Sequence, residues 1–358
     1  MRLKENEIIE QFERQIDKYA PLKIKSIERE VPLSQGMKVD AIIEFCVGEG
    51  PCFKALVEIK SIASPKEIIS TVVQLAFTEK KSNEKEMVPL LIVPYMGAEQ
   101  IQILQRDGIS WIDLCGNMVI RAPGGIYIER TGRKNLFPDT SPIKKIFEGT
   151  SSLVSRALLL KKEPFKSLNK IYRFINERDG NITLSTVSKV LGSLEEELLV
   201  RKDENGISVI DREKLLNKLL EGYVDYTKRN KNKTYTFAVQ KNQIGDFAFN
   251  DFKCVACGFY AAKLKGLATT DRITFYVESV KEAQKEIERS KIILNPDTEF
   301  GQLDLIETRN LCVWFNVQGE PLDKIVDDLE LYLEMMIDTP RGPKVAEILE
   351  ERILKGQV

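Results

Sequence analysis

Short apolar runs broken by single charges mark the first 148 residues as alternating helix and strand. Heptad-like spacing of Ile8, Ile9, Phe12 and Ile16 predicts a helix from Glu5 to about Tyr19. Strands follow at about Lys23–Val31, Lys38–Phe45 and Lys54–Lys60, then a helix over Pro65–Lys81. The run Pro89-Leu90-Leu91-Ile92-Val93-Pro94-Tyr95 is short enough for a buried strand. A helix near Ala98–Arg106 and strands near Gly116–Arg121 and Gly125–Thr131 complete the segment. Its order is helix, three strands, helix, strand, then a mixed tail.

From 149 to 235 the pattern changes to helices at Ser152–Leu160, Ser167–Glu177 and Ser185–Glu196. Two short strands, Leu199–Lys202 and Ile207–Ile210, flank an Asn205-Gly206 step, a strong hairpin signal. Three helices and a hairpin predict a winged helix-turn-helix. This segment is also the basic one, with 17 Lys and Arg against 12 Asp and Glu. Val187, Val190, Leu191 and Leu194 would face inward, leaving Thr186, Ser188, Lys189 and Ser193 as the groups to enter a major groove. Arg201 and Lys202 on the wing would meet phosphates. Lys228 to Lys233 reads either as more phosphate contact or as a solvated interdomain linker.

Residues 236–358 predict an α+β domain for interaction or dimerisation. Strands are expected at Thr234–Val239, Ile273–Glu278 and Leu311–Val317, and helices at Phe252–Leu267, Val280–Arg289, Pro321–Ile337 and Gly342–Lys355. Asp338 to Gly342 reads as a compact loop. No phosphate loop or dinucleotide fingerprint occurs here.

The chemistry concentrates in the first segment. Glu58 and Lys60 share one face of their strand, because side chains alternate, and a pairing strand would set Asp40 beside them. Two carboxylates and an ammonium in one place are costly to bury without a partner. Glu10 and Glu13 on the first helix are candidates for an additional acid. Asp113 and Asn117, around Gly116, read as a strand end whose side chains bond their own backbone, or as a DNA-facing or lid element.

Composition narrows the options. The chain contains no histidine, so imidazole bases, triads and imidazole zinc ligands are excluded. Hydrophobic content of 43% and charged content of 30% fit an ordinary globular protein, and no apolar run approaches the roughly 20 residues that span a bilayer. The charged amphipathic start is unlike a signal peptide, which places the protein in the cytoplasm by expectation, with no membrane partner. Six cysteines in so long a chain read as reduced thiols. Cys254-Val255-Ala256-Cys257 reads as core packing in a buried helix rather than as a redox or metal pair.

The Asp followed by Glu-x-Lys at the end of an apolar strand resembles the PD-(D/E)XK nuclease superfamily. That resemblance implies a restriction-endonuclease-like fold for 1–148, with Asp40 and Glu58 holding Mg²⁺ and Lys60 orienting or activating water. Gln74 on the following helix matches the RecB-like members. The whole chain also resembles the AbiEi family of antitoxins and transcriptional regulators in type IV toxin-antitoxin systems. The residues that carry this are Gly108 to Asn117 with Ile120 to Gly124, then Val187 to Leu191 with Leu194, Leu199 and Val200, and finally Leu331 to Leu333 with Asp338 to Gly342. It implies a winged helix on double-stranded DNA, repression of its own operon, and a nucleotidyltransferase-like toxin as genetic partner. A homodimer would suit such a repressor. The alternative is an active Mg²⁺-dependent endonuclease in defence or restriction.

Overall fold

The computed structural model describes residues 3–32, 38–81, 87–137, 144–239, 253–289, 292–296, 301–319, 324–338 and 341–357. It divides into two compact units, one of Met1–Ile143 with Glu196–Leu198 and one of Lys144–Glu195 with Leu199–Val358.

The first unit is built on a seven-stranded mixed sheet whose strands lie side by side in chain order. Helix α1 (Glu5–Arg14) and a 3-10 turn (Ile16–Tyr19) lead into β1 (Leu22–Pro32), β2 (Lys38–Val47) and β3 (Cys52–Ile59). Then come α2 (Pro65–Lys81), β4 (Val88–Val93), α3 (Ala98–Arg106), β5 (Ser110–Asp113), β6 (Met118–Ala122) and β7 (Ile126–Arg130). Strand β3 runs parallel to β4, and β4 to β5, while the other neighbours are antiparallel. The crossovers α2 and α3 are what parallel strands require.

Both faces are covered, and the pleat sorts the residues between them. Ala55, Val57 and Ile59 pack with Ile8, Ile9 and Phe12 of α1. Leu56 packs on the other face, with Ile68, Val72 and Leu75 of α2 and Leu104 of α3. Glu58 has the parity of Leu56 and therefore looks towards α2. Strand β5 was foreshadowed in the sequence only as a strand end.

One expectation fails here. Cys46 and Cys52 are not reduced thiols but a disulfide, on paired positions of the β2–β3 hairpin. Directly opposed residues of an antiparallel pair bring their Cβ atoms close enough to bridge.

The second unit contains α4 (Leu153–Leu160), α5 (Leu168–Asn176) and α6 (Leu184–Glu196), then the hairpin β8 (Val200–Asp203) and β9 (Gly206–Val209). Glu204 and Asn205 form the turn, and Gly206 opens β9 at φ 124°. A Cβ at Gly206 would lie 2.4 Å from the Phe165 carbonyl oxygen, so glycine is required where the segment before α5 pairs with the hairpin.

A long helix, α7 (Arg212–Arg229), follows and was not anticipated. Asp211 caps it by accepting from Lys214 N at 2.9 Å, and Leu215, Leu216, Leu219 and Tyr223 form its buried stripe. The stripe joins α4–α6 and the carboxy-terminal helices in one continuous core, so residues 149–235 and 236–358 share an interior.

The remainder is β10 (Lys233–Ala238), β11 (Cys254–Ala256), α8 (Gly258–Leu264), β12 (Ile273–Val277), α9 (Val280–Arg289), β13 (Asn295–Pro296), β14 (Leu303–Glu307), α10 (Asp328–Ile337) and α11 (Gly342–Lys355). The five strands form a sheet in the order β11, β12, β14, β10, β13. Three expectations are corrected in this part. The expected helix over Phe252–Leu267 is a strand and a short helix, because Cys254 to Ala256 pair with β12 and Gly258 breaks the backbone at φ 57°; Phe252 itself lies outside the described residues. The expected strand Leu311–Val317 contains a 3-10 turn, Leu311–Trp314, capped by Asn310, with Cys312, Val313, Trp314 and Phe315 all buried, so no strand alternation exists. The helix before the last, α10, begins at Asp328 rather than Pro321, since Ile325 is held in bridges to Ala256 and Gln318 and Asp327 supplies the cap. Residues 321–323, and 339–340 of the Asp338–Gly342 loop, lie outside the described residues.

Candidate active site

Asp40, Glu58 and Lys60 at the strand ends and Gln74 on α2 are brought together. Ala41 pairs with Val57, so Asp40 and Glu58 follow at the end of the β2–β3 ladder. Asp40 Oδ2 accepts from the Ile59 backbone N–H at 2.7 Å. Glu58 is 2% exposed; its Oε1 accepts from Gln74 Nε2 at 2.7 Å and its Oε2 from Lys60 Nζ at 3.1 Å. Lys60 N–H in turn donates to the Ile92 carbonyl, extending the β3–β4 ladder and fixing where the ammonium starts. Every first contact is thus set by strand register or by the one helix that crosses over.

The electrostatics are those of a crowded acidic pair. Burial pushes the Glu58 pKa up to about 7, the nearby Asp40 carboxylate adds to the rise, and Lys60 only partly offsets them. Burial opposes the charge on Lys60, but Glu58 and Asp40 outweigh it, and the net shift is upward. Lys60 therefore stays an ammonium and acts as a fixed cation, able to hold an anionic oxygen.

These donors fit a hard divalent cation. Among the described residues no group of three or more His, Cys, Asp or Glu gathers at one point. Mg²⁺ does not need one, because it is held by one or two carboxylates with waters and phosphate oxygens filling its remaining positions. A dication would relieve the repulsion that now favours a proton on Glu58. Asp40 and Glu58 are the residues that would hold it.

Glu10 and Glu13, the candidates for an additional acid, are each engaged by an arginine. Glu10 is paired with Arg14 at 2.9 Å and Glu13 with Arg29 at 2.5 Å. Glu5, one or two turns earlier on α1, is the acid whose charge is felt at Lys60. Its only sequence signal is membership of the same acidic helix.

The Asp113 turn is a closed structural device. Asp113 is fully buried, and its carboxylate accepts from the backbone N–H groups of Cys115 (3.0 Å), Asn117 (2.9 Å) and Met96 (3.2 Å) and from Asn117 Nδ2 (2.8 Å). Asn117 Oδ1 then receives the Arg133 N–H at 2.7 Å. No acceptor position remains for a ligand. The Cys254 and Cys257 thiols are also closed off: both are buried, and burial pushes Cys254 up to about 12 and Cys257 well above the ordinary thiol value.

On α6, Val187, Val190, Leu191 and Leu194 are buried as expected, and Ser188 and Lys189 are exposed. Thr186 and Ser193 are half-buried and engaged: Thr186 shares a 2.8 Å hydrogen bond with Thr183, and Ser193 donates to the Lys189 carbonyl. On the hairpin, Arg201 pairs with Asp203 and Lys202 with Glu195, both at 2.9 Å. In the Lys228–Lys233 run, Arg229 ends α7 and pairs with Glu148, and Lys233 already belongs to β10. Only residues 230–232 separate the two elements, so the run is a tight connection inside one unit rather than an interdomain linker.

Among the described residues no helix is long and apolar enough to cross a membrane. No protein-family model matches the chain, and no curated protein does. A solved structure described as EndoMS in apo form aligns with 32% of this chain and 47% of its own, at 13% identity and a TM-score of 0.23. The aligned part thus spans less than half of that chain, and a likeness of this size carries no argument about fold or function.

Proposed function

We propose that this chain is a DNA-binding protein whose first unit hydrolyses phosphodiester bonds with Mg²⁺, as an endonuclease of the PD-(D/E)XK type. The observation that carries the reading is the convergence of Asp40, Glu58, Lys60 and Gln74 through strand register and one crossover helix. When bound, the metal supplies charge for a phosphate oxygen and a more acidic water. Gln74 and Lys60 orient the Glu58 carboxylate, the Ile59 N–H anchors Asp40, and the Lys60 ammonium, which gives one proton to Glu58, has others to donate to a phosphate oxygen of the substrate. Purified protein with Mg²⁺ or Mn²⁺ is expected to cut duplex DNA, EDTA to stop it, and Lys60→Ala to abolish cutting while DNA binding persists. Cleavage that survives Lys60→Ala, or none with either metal, refutes the reading.

A second reading is a transcriptional regulator like the AbiEi antitoxins, in which the first unit is a scaffold. Three helices followed by a hairpin, with Ser188 and Lys189 exposed on α6 above a buried Val187, Val190, Leu191 and Leu194 stripe, support a winged helix that binds duplex DNA. This reading predicts salt-sensitive binding to the DNA upstream of the protein's own gene, weakened by Lys189→Ala. Equal affinity for random DNA counts against it. Placement in the cytoplasm, a homodimer and a nucleotidyltransferase-like toxin as genetic partner belong to the same proposal.

A further inference from the structure

The five-stranded sheet of the second unit has one apolar face and one polar face. Ile273, Phe275 and Val277 of β12 and Leu303 and Leu305 of β14 pack with Val280, Ala283 and Ile287 of α9. The alternate positions point the other way, and in register across three strands they read Thr274, Asp304 and Thr236. Beside that row Tyr276, Ile306 and Thr234 are likewise in register. This second face floors a cleft of about 920 Å³ between the end of α7, α8 and α10. The volume falls in the range of small-molecule sites, roughly 300–1,000 Å³.

The hydrogen-bonding capacity left over in this cleft is mostly that of donors. Lys231, Lys233 and Arg309 line the opening, are exposed, and have no ion-pair partner among the described residues. The hydroxyls of Thr234 and Thr274 make no side-chain hydrogen bond among those residues either. The acids, by contrast, are nearly all engaged. Asp304 accepts from Thr236 Oγ1 at 2.7 Å and pairs with Arg272 at 3.3 Å, Glu307 accepts from the Val280 N–H at 3.2 Å, and the buried Glu334 accepts from the Gly258 N–H at 2.7 Å. Asp338, exposed at the end of α10, is the one lining acid with no side-chain partner among the described residues. Lysine and arginine side chains only donate, and cations that share an opening repel one another. An acceptor-rich anion relieves both conditions.

We infer that this cleft binds a small phosphorylated molecule, its phosphate oxygens accepting from Lys231, Lys233 and Arg309 at the opening and from the Thr234 and Thr274 hydroxyls on the sheet floor. A carboxylate brings two acceptor oxygens and a single charge. A phosphate monoester brings three acceptor oxygens and a charge of about −1.5 to −2, which is the closer match to three free cations and two free hydroxyls. A nucleic-acid backbone carries phosphates too, but each holds one charge and they are spread along the strand. Here the donors line one concavity.

The test is calorimetric titration of the whole protein at one ionic strength with ribose 5-phosphate, inorganic pyrophosphate, citrate and a short single-stranded oligonucleotide. Ribose 5-phosphate or pyrophosphate is expected to bind at least tenfold more tightly than citrate, which is as highly charged but has no phosphate. The surface variants Lys231→Ala/Lys233→Ala and Arg309→Ala should each weaken that binding about tenfold, as the loss of charge-assisted hydrogen bonds does. Thr274→Val, which keeps the shape and removes the hydroxyl, should weaken it about threefold. Lys285→Ala, which removes an exposed lysine of α9 on the opposite side of the sheet, should leave it unchanged. No binding of either phosphorylated probe, citrate binding as tightly, full affinity in the Lys231→Ala/Lys233→Ala variant, an equal loss in Lys285→Ala, or a response to the cleft variants from the oligonucleotide alone overturns the proposal. None of these outcomes depends on the Asp40, Glu58 and Lys60 site or on α6, so a failure here leaves the nuclease and winged-helix readings to their own tests.

Discussion

Two clusters in this molecule press carboxylates against cations, and their fates differ. At the end of β3, Glu58 is sealed but its partner Lys60 keeps 21% of its side chain exposed. Inside the second unit, Arg156 and Glu330 meet at 2.6 Å with 2% and 1% exposure. Glu330 also receives the Tyr223 hydroxyl, and the neighbouring Asp327 accepts from Glu330 N and Asn316 Nδ2. The inner cluster closes on itself and locks α4, α7 and α10 together. The outer one ends at solvent with two carboxylates repelling each other. Similar residue types therefore serve cohesion in one place and, in the proposed function, metal binding in the other, and access separates the two.

The largest expected effect tests the inner cluster. Arg156→Leu leaves Glu330 buried without its cation and should destabilise the protein by about 3–5 kcal/mol in urea unfolding. Arg156→Leu combined with Glu330→Leu should recover much of that loss, because the uncompensated charge is gone. A single variant that unfolds like the parent would mean the pair does not hold the helices. Lys60→Ala is the matching break in the outer cluster, and there the expected cost is catalytic. Cleavage should fall at least about 100-fold, as when a preorganised electrostatic group is removed. The unfolding free energy should change by less than about 1 kcal/mol, since a partly exposed pair contributes little.

A pH series sharpens the same contrast. Glu334 faces Glu330, Tyr276 and Arg156, and its carboxyl is raised from an ordinary 4.5 to about 8 in the folded protein. Between those values the folded state keeps a proton that the unfolded chain releases, so stability is fullest at low pH and declines as pH rises. Asp327, raised to about 6 mainly by burial, acts in the same direction over the lower part of the window. Each group contributes at most about 1.4 kcal/mol per pH unit. Urea unfolding from pH 5 to 8 should follow that decline, and Glu334→Gln should flatten its upper part. An unchanged slope in the variant would show that Glu334 is ionised throughout.

How the two clusters were encoded explains what could be read in advance. Asp40, Glu58 and Lys60 lie at strand ends where parity alone fixes the face, and Gln74 sits in the helix that a parallel β3–β4 connection requires. The first site was therefore legible from spacing. Glu5 was not, because which turn of α1 reaches Lys60 depends on how the helix packs, and Glu10 and Glu13 have the same local signature. The inner cluster joins Arg156, Tyr223 and Glu330 across more than 170 residues, with no local pattern to announce it. Helix α7 was missed although Asp211 and the Leu215, Leu216, Leu219, Tyr223 spacing announce it, and with it the core shared by 149–235 and 236–358. Short apolar runs such as Cys254 to Ala256 and Leu311 to Trp314 fit strand or helix equally; pairing with β12 decided the first, and the Asn310 cap marks the turn of the second.

The smallest effects separate free surface cations from paired ones. Lys189 on α6 is exposed with no ion-pair partner among the described residues, whereas Lys202 on the hairpin is held by Glu195. If both reach phosphates, each should contribute about one unit to the slope of log affinity against log salt. They differ in what must be given up first. Lys202 has to leave a pair worth at most about 1 kcal/mol, while Lys189 leaves only water. Lys189→Ala should therefore weaken binding more than Lys202→Ala, and Glu195→Gln should strengthen binding by releasing Lys202. Fluorescence anisotropy on one duplex at several salt concentrations distinguishes the three variants. An identical loss for both lysines, with no gain in Glu195→Gln, would place the Lys202–Glu195 pair outside the DNA-contacting surface.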